Sequence, residues 1–303
     1  MKKNFLFLFI ILLSLPCWCQ PINDLRKIFD YDKGEDLDLR ILSTVDTVQG
    51  TMNEIIFNGG NGLKITGSLI IPKQKIREFP AIIFLNDASQ SRNAFLQQAL
   101  NLSECAFASL IIDAPPARPQ QYQMSYHNFT DPRRDLIAYK QAVLDIRRSI
   151  DLLEQHPRID HNRIAFIGNG DGAMTGAITS GIESRILTYI LMACTPSYSR
   201  DLRYSNSPMI VKARNSLSAE QITQYEKLVE LLNPSNYLPY HRRSLIFFQF
   251  AQNDPGFDEK ASKELFQITE EPKIQKIYKT TNSGMVTFEE VIKDQNMWLN
   301  NHL

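Results

Sequence analysis

The chain has no excess of charge of one sign, with Lys plus Arg and Asp plus Glu at 33 each among 303 residues. A balanced surface builds no long-range field, so recruitment by nucleic acid or an anionic membrane is excluded and partners must be recognised locally. Long hydrophobic runs are also missing. The run from Phe5 to Leu15 behind Lys2 and Lys3 is about eleven residues, short of the ~20 that span a bilayer. It fits the core of a signal peptide, with cleavage near Cys19 and Gln20. A lipid anchor on Cys17 or Cys19 fits less well, because those cysteines follow Pro16 and Trp18 rather than a small residue. Residues 1–19 therefore read as a signal peptide, and the mature chain as exported, periplasmic or extracellular, with no membrane span. Cysteine is scarce too: after cleavage only Cys105 and Cys194 remain. Their places at opposite ends of the strand pattern predict two buried free thiols, although an oxidising compartment would permit a disulfide.

What is present is an alternation of short apolar runs and helical patterns. Asn53 to Phe57 and Leu63 to Ile71 flank Asn58-Gly59-Gly60-Asn61-Gly62, whose Asn and Gly residues accept positive φ and mark a hairpin. Ala81 to Leu85, Ala108 to Ile112, Ile164 to Ile167, Thr188 to Ala193, Leu245 to Phe250 and Ile274 to Tyr278 follow. This predicts an α/β fold, a mostly parallel eight-stranded sheet with helices on both faces. A helix is expected from Pro132 to Gln155, with Leu136, Tyr139, Val143, Ile146, Ile150 and Leu153 on one stripe, Asp131 as its cap and Pro157 beyond its end. Thr287 and Glu290 have the spacing of a capping box for a last helix carrying Trp298 and Leu299. Residues 20–49 read as an N-terminal extension and 50–303 as one domain. Within it, 197–240 interrupts the alternation with a polar helix near Ser218 to Leu232, either a lid over the sheet's C-terminal edge or an ordinary surface excursion.

The segment Ile164-Ala165-Phe166-Ile167-Gly168-Asn169-Gly170-Asp171-Gly172-Ala173 is a buried strand entering a glycine-rich turn and a helix of small residues. A G-x-S-x-G nucleophile elbow belongs in such a context. Here Gly168 and Gly172 are kept and the centre is Gly170. With Phe29 to Asp32, Arg92 to Phe95, Asp113-Ala114-Pro115, Asp145 to Arg148, Pro157 to Asp160, Asn253-Asp254-Pro255 and Trp298-Leu299 in this order, the chain resembles the α/β-hydrolase superfamily, in its dienelactone hydrolase-like and acyl-esterase-like branch. The resemblance implies an α/β-hydrolase fold with a degenerate catalytic triad. The serine position falls on Gly170, the triad acid on Asp254, and the triad histidine on Asn282, or on Ser283 if the register slips by one. The His-Gly that shapes the oxyanion hole falls on Asn86-Asp87, with Asp171 beside it.

Acyl transfer needs a nucleophile, a base and donors aimed at a developing oxyanion. Gly170 carries no nucleophilic atom and Asn282 is no base near neutral pH. In a worked protease series, loss of either member lowers turnover by about 10⁶. The sequence therefore predicts a protein without serine-hydrolase activity that binds a small polar ligand, such as a carbohydrate or an acylated compound, the ligand class being implied by the resemblance only. The competing reading is an ester hydrolase with an unusual nucleophile. Asp171 is the candidate, and His127, in the loop after Ala108 to Ile112, is the histidine able to reach it, whereas His156, His161, His241 and His302 belong elsewhere. Cys194 reads as structural, since no partner lowers its pKa. Asp87, Asp113, Asp171 and Asp254 with Asn86, Asn169 and Asn282 would suit Ca²⁺ or Mg²⁺, but the inherited places of Asp113 and Asp254 weigh against it. No metal or cofactor is assigned.

Overall fold

The computed structural model describes residues 22–241, 244–254, 256 and 258–303, so the signal peptide, its cleavage point and Cys17 and Cys19 lie outside the described residues. One sheet organises the chain: β1 (Arg40–Asp46), β2 (Gly50–Gly60), β3 (Leu63–Pro72), β4 (Phe79–Leu85), β5 (Ala108–Ile112), β6 (Ile159–Asn169), β7 (Thr188–Met192), β8 (Leu245–Ala251) and β9 (Lys273–Tyr278). Their order is β1-β2-β3-β5-β4-β6-β7-β8-β9. The first three strands and the β3–β5 pair run antiparallel, and every pair from β5 through β4 to β9 runs parallel. The sheet thus has nine strands among the described residues, one more than the sequence predicts. The added strand is β1, whose seven residues are all exposed. An edge strand wet on both faces has no reason to alternate, so periodicity misses it. All eight predicted strands form, and the β2–β3 hairpin turns through Gly60, Asn61 and Gly62 at positive φ.

The central strands are continuous apolar runs because helices cover both faces: β4 is buried throughout, as is β6 from Ile164 to Asn169. On one face the helix Pro132–Gln155 buries Tyr139, Val143, Ile146, Ile150 and Leu153. Asp131 does precede it, but its side chain makes no cap bond and pairs instead with Arg134 at 3.0 Å. The Thr287–Glu290 capping box does not form either. The last helix starts at Glu289 with Phe288 as N-cap, and Thr287 Oγ1 donates to Gly284 O. Residues 22–39 belong to the same body: Phe29 is fully buried, Tyr31 OH donates to Asp151, and Arg147 and Arg148 donate to the carbonyls of Phe29 and Glu35. Cys194 is buried and free as predicted, but Cys105 is exposed at the end of helix Leu96–Glu104, where helix termination turns its side chain to solvent.

Candidate functional site

Strand order reverses at β4, with β5 on one side and β6 on the other. Ligands in open α/β sheets bind outside the strand ends at such a switch point. A cleft of about 560 Å³ opens there. Its floor comes from the loops after β4 (Asp87 to Gln90), β6 (Gly170, Asp171), β7 (Ala193 to Thr195), β8 (Asp254) and β9 (Asn282, Ser283). Residues 197–240 supply a wall: Asp201, Ser205, Ser207, Pro208, Met209 and Ile210 line the cleft. Their helices pack on the long helix through buried Tyr225, Val229 and Leu232.

Gly170 occupies the tip of the β6 turn, at φ 54° and ψ −119°, and Asp171 begins the helix Asp171–Ile182. The elbow has not slid by one residue. Gly172 is obligatory for close approach, since a Cβ there would stand 2.0 Å from Leu85 O. At Gly170 a Cβ would stand 2.1 Å from Asp87 Oδ2. The carboxylate of Asp87 therefore fills the space that a side chain at the elbow would occupy.

The backbone donors around that point are already used. Asp171 N donates to Asp87 Oδ2 at 3.5 Å, and Ala88 N donates to Asp171 Oδ2 at 3.3 Å, so each loop's carboxylate accepts from the other loop. Asp87 N donates to Asn86 Oδ1 at 2.8 Å, and Asn169 Nδ2 holds the same oxygen at 3.1 Å. Asn86 is buried behind the loop and shapes it without lining the cleft. Ser89 N and Oγ both donate to Asp87 Oδ1, at 2.9 and 2.5 Å. An oxyanion hole works through free donors aimed at the oxyanion; here the side-chain oxygens of Asn86, Asp87 and Asp171 occupy the N–H groups of Asp87, Asp171 and Ala88. Across the cleft, Asp254 Oδ2 accepts from Asn282 N at 2.9 Å and Oδ1 from Gly256 N at 2.7 Å. Asp254 thus meets position 282 through its backbone. Asn282 Oδ1 is buried and accepts no hydrogen bond. Ser283 lies beside it on the cleft.

Sequence reasoning put His127 within reach of Asp171, and the structure brings Nε2 to 3.5 Å from Asp171 Oδ2. The other ring nitrogen, Nδ1, is 3.5 Å from Tyr139 OH. Burial alone would lower the His127 pKa, but the carboxylates of Asp171, Asp135 and Asp201 outweigh it and push it up to about 9. His127 is an imidazolium at neutral pH, with both nitrogens engaged. Burial, followed by the Asp171 charge, raises Asp87 above the usual carboxylate range. Asp201 reaches about 6, lifted by burial and by Asp171 against the pull of His127. Asp201 was missed in the sequence, where a single acid opening a short helix in an irregular segment carries no signal. Burial alone pushes the Cys194 thiol far up, consistent with an inert role.

Asp113 faces away from the cleft, accepting from Thr66 Oγ1 and paired with Arg92, and among the described residues no group of three or more His, Cys, Asp or Glu converges as a metal site.

The sheet, the switch-point cleft and the strand–elbow–helix define an α/β-hydrolase fold. The acetyl xylan esterase (AXE1) family model matches residues 35–203, more than half of the chain, and the chain belongs to that family. Among solved structures it is similar to an acetyl xylan esterase from Paenibacillus sp. R4 (TM-score 0.74, 16% identity, 93% of each chain covered). It is similar also to acetyl xylan esterase 1 from Thermoanaerobacterium sp. JW/SL YS485 (TM-score 0.74, 15% identity, 92% of this chain and 98% of that one). A cold-adapted esterase from an Arctic intertidal metagenomic library aligns with TM-score 0.60 at 14% identity, over 86% of this chain and 97% of that one. No curated protein matches the chain significantly. No helix among the described residues is long and apolar enough to cross a membrane.

Proposed function

We propose that this chain is an exported, non-hydrolytic member of the acetyl xylan esterase family that keeps the family's cleft and uses it to bind a small polar ligand. The observation that carries this reading is the Asp87 carboxylate, which stands where a nucleophile's side chain would begin and accepts the Asp171 N–H. Position 170 has neither an attacking atom nor room for one. Position 282 has no base, and Asp254 is held by two backbone N–H groups.

The second reading, hydrolysis through Asp171, draws on the 3.5 Å approach of His127. It requires His127 to take a proton from water, and a protonated ring engaged at both nitrogens has no lone pair to offer. The wild-type chain is therefore expected to show no turnover of p-nitrophenyl acetate above the buffer rate and no mass increase with a fluorophosphonate probe. Saturable turnover that disappears in Asp171→Asn would sink the binding-protein reading and establish the second one.

A further inference from the structure

We propose that the ligand of this cleft is an organic ammonium, a protonated primary amine carried on a small polar body. The inference deepens the binding role proposed above and rests on it.

Its first support is charge segregation. The chain as a whole is balanced, yet the described residues lining the cleft include Asp87, Asp171, Asp201, Asp254 and Asp258 and no Lys or Arg. Asp258 is neutralised by Arg200 at 2.7 Å. Four carboxylates remain, and the one cation among the described lining residues is His127, which meets Asp171 at 3.5 Å. A cleft with low-dielectric walls focuses such a field on whatever enters it.

The second support is the donor and acceptor inventory. The N–H groups that would receive an ester carbonyl donate to Asn86, Asp87 and Asp171 instead, so a carbonyl at the elbow finds these backbone donors taken and carboxylates beside it. An acceptor stands unused: Asn282 Oδ1 is buried at the cleft with no donor against it. A buried acceptor left without a protein donor is destabilising, and an entering N–H would relieve it. Asp171, on the cleft floor with its side chain 7% exposed, is met by the Ala88 N–H at 3.3 Å and by His127 at 3.5 Å, both on Oδ2. The occupant must therefore bring positive charge and N–H donors together. A quaternary ammonium has the charge without the donors, a neutral sugar has donors without the charge, and a bare metal ion lacks converging ligands among the described residues. The roughly 560 Å³ leaves room for a body beyond the amine, with Met174, Met209, Ile210 and Phe250 offering apolar contact alongside the serines.

Calorimetry on the wild-type chain with D-glucosamine, butylamine, choline, D-glucose, N-acetyl-D-glucosamine and Ca²⁺ tests this. Glucosamine or butylamine is expected to bind at least about ten-fold tighter than glucose, N-acetylglucosamine and choline, and to weaken modestly with salt as the cleft's field on the entering cation is screened. Asp201→Asn and Asp171→Asn are each expected to weaken ammonium binding about five- to ten-fold while leaving any glucose binding in place; the conservative Asp201→Asn keeps the test open if Asp171→Asn fails to fold. Equal affinity for glucosamine and glucose, a preference for choline or Ca²⁺, or no heat with either amine would overturn the inference. Ester turnover would overturn the non-hydrolytic reading alone, so the two failures are distinguishable.

Discussion

If Asp87 fills the elbow, then substitutions at positions 170 and 87 must couple energetically. Gly170→Ser builds a Cβ at φ 54° and 2.1 Å from Asp87 Oδ2. The backbone contribution, on the order of 1–3 kcal/mol for a residue with a side chain in a sparsely populated region, persists whatever stands at 87. The steric contribution is separable. Asp87 can swing away only by giving up the Ser89 N, Ser89 Oγ and Asp171 N bonds, each worth about 0.5–1.5 kcal/mol net; otherwise the elbow is overpacked, at about 1–3 kcal/mol. Gly170→Ser should therefore destabilise the wild-type chain by about 2–6 kcal/mol, and by about 1–3 kcal/mol less in an Asp87→Ala background. Urea unfolding of the four proteins in the cycle, with unchanged m-values, reads this directly. Additivity within about 0.5 kcal/mol would refute the packing argument. None of the four should hydrolyse an activated acetyl ester, because Asn282 remains in place of a base.

His127, raised to about 9, should contribute stability that is fully present below its unfolded value near 6.5 and lost as pH rises through about 9, on the order of 3 kcal/mol; His127→Gln should flatten that limb of a pH–stability curve. Asp201, raised to about 6, carries the opposite sign for an acid: stability falls as pH rises from its unfolded value near 4 through about 6, so Asp201→Asn should stabilise by on the order of 1–3 kcal/mol at pH 8 and by almost nothing at pH 4. Asp254→Ala strands the Gly256 and Asn282 N–H groups and should cost about 1–3 kcal/mol in urea unfolding. A thiol reagent should label exposed Cys105 in the native chain and reach buried Cys194 only on unfolding; rapid labelling of both would contradict the packing around β7.

The fold was legible because its signals are local and repeated. Each parallel strand announces itself as a short apolar run buried on both faces, and the long helix carries one stripe over 24 residues. What escaped lacked such redundancy. β1 is exposed throughout, and the two predicted caps failed because Asp131 and Thr287 found other partners, Arg134 and Gly284 O. The same division holds at the site. Gly170, Asp254 and Asn282 could be expected at one sheet edge from their positions along the chain, and all three line the cleft. That Asp87 reaches into the elbow could not, because the contact joins residues 83 positions apart through a side-chain direction. Asp201 could not either, since no pattern in residues 197–240 marks which polar group turns inward.

The way the site is filled bears on why it persists. A catalytic constellation that merely decayed would leave a cavity at the elbow and unpaired N–H groups around it, and cavities and orphan donors are both destabilising. Here a carboxylate takes the side-chain space and internal acceptors take the N–H groups, so the elbow is filled and these donors are paired. If stability alone had guided the residues at this site, aspartate would be a poor choice: burial first, and then the Asp171 charge, makes ionising both Asp87 and Asp201 more costly, and apolar residues of similar volume usually do as well or better than buried charge. A cleft that keeps four carboxylates against one imidazolium forgoes stability that small apolar side chains would supply. Such a deficit is what a binding site for a cation requires, since the ligand's charge then relieves in the complex the repulsion that the free protein carries.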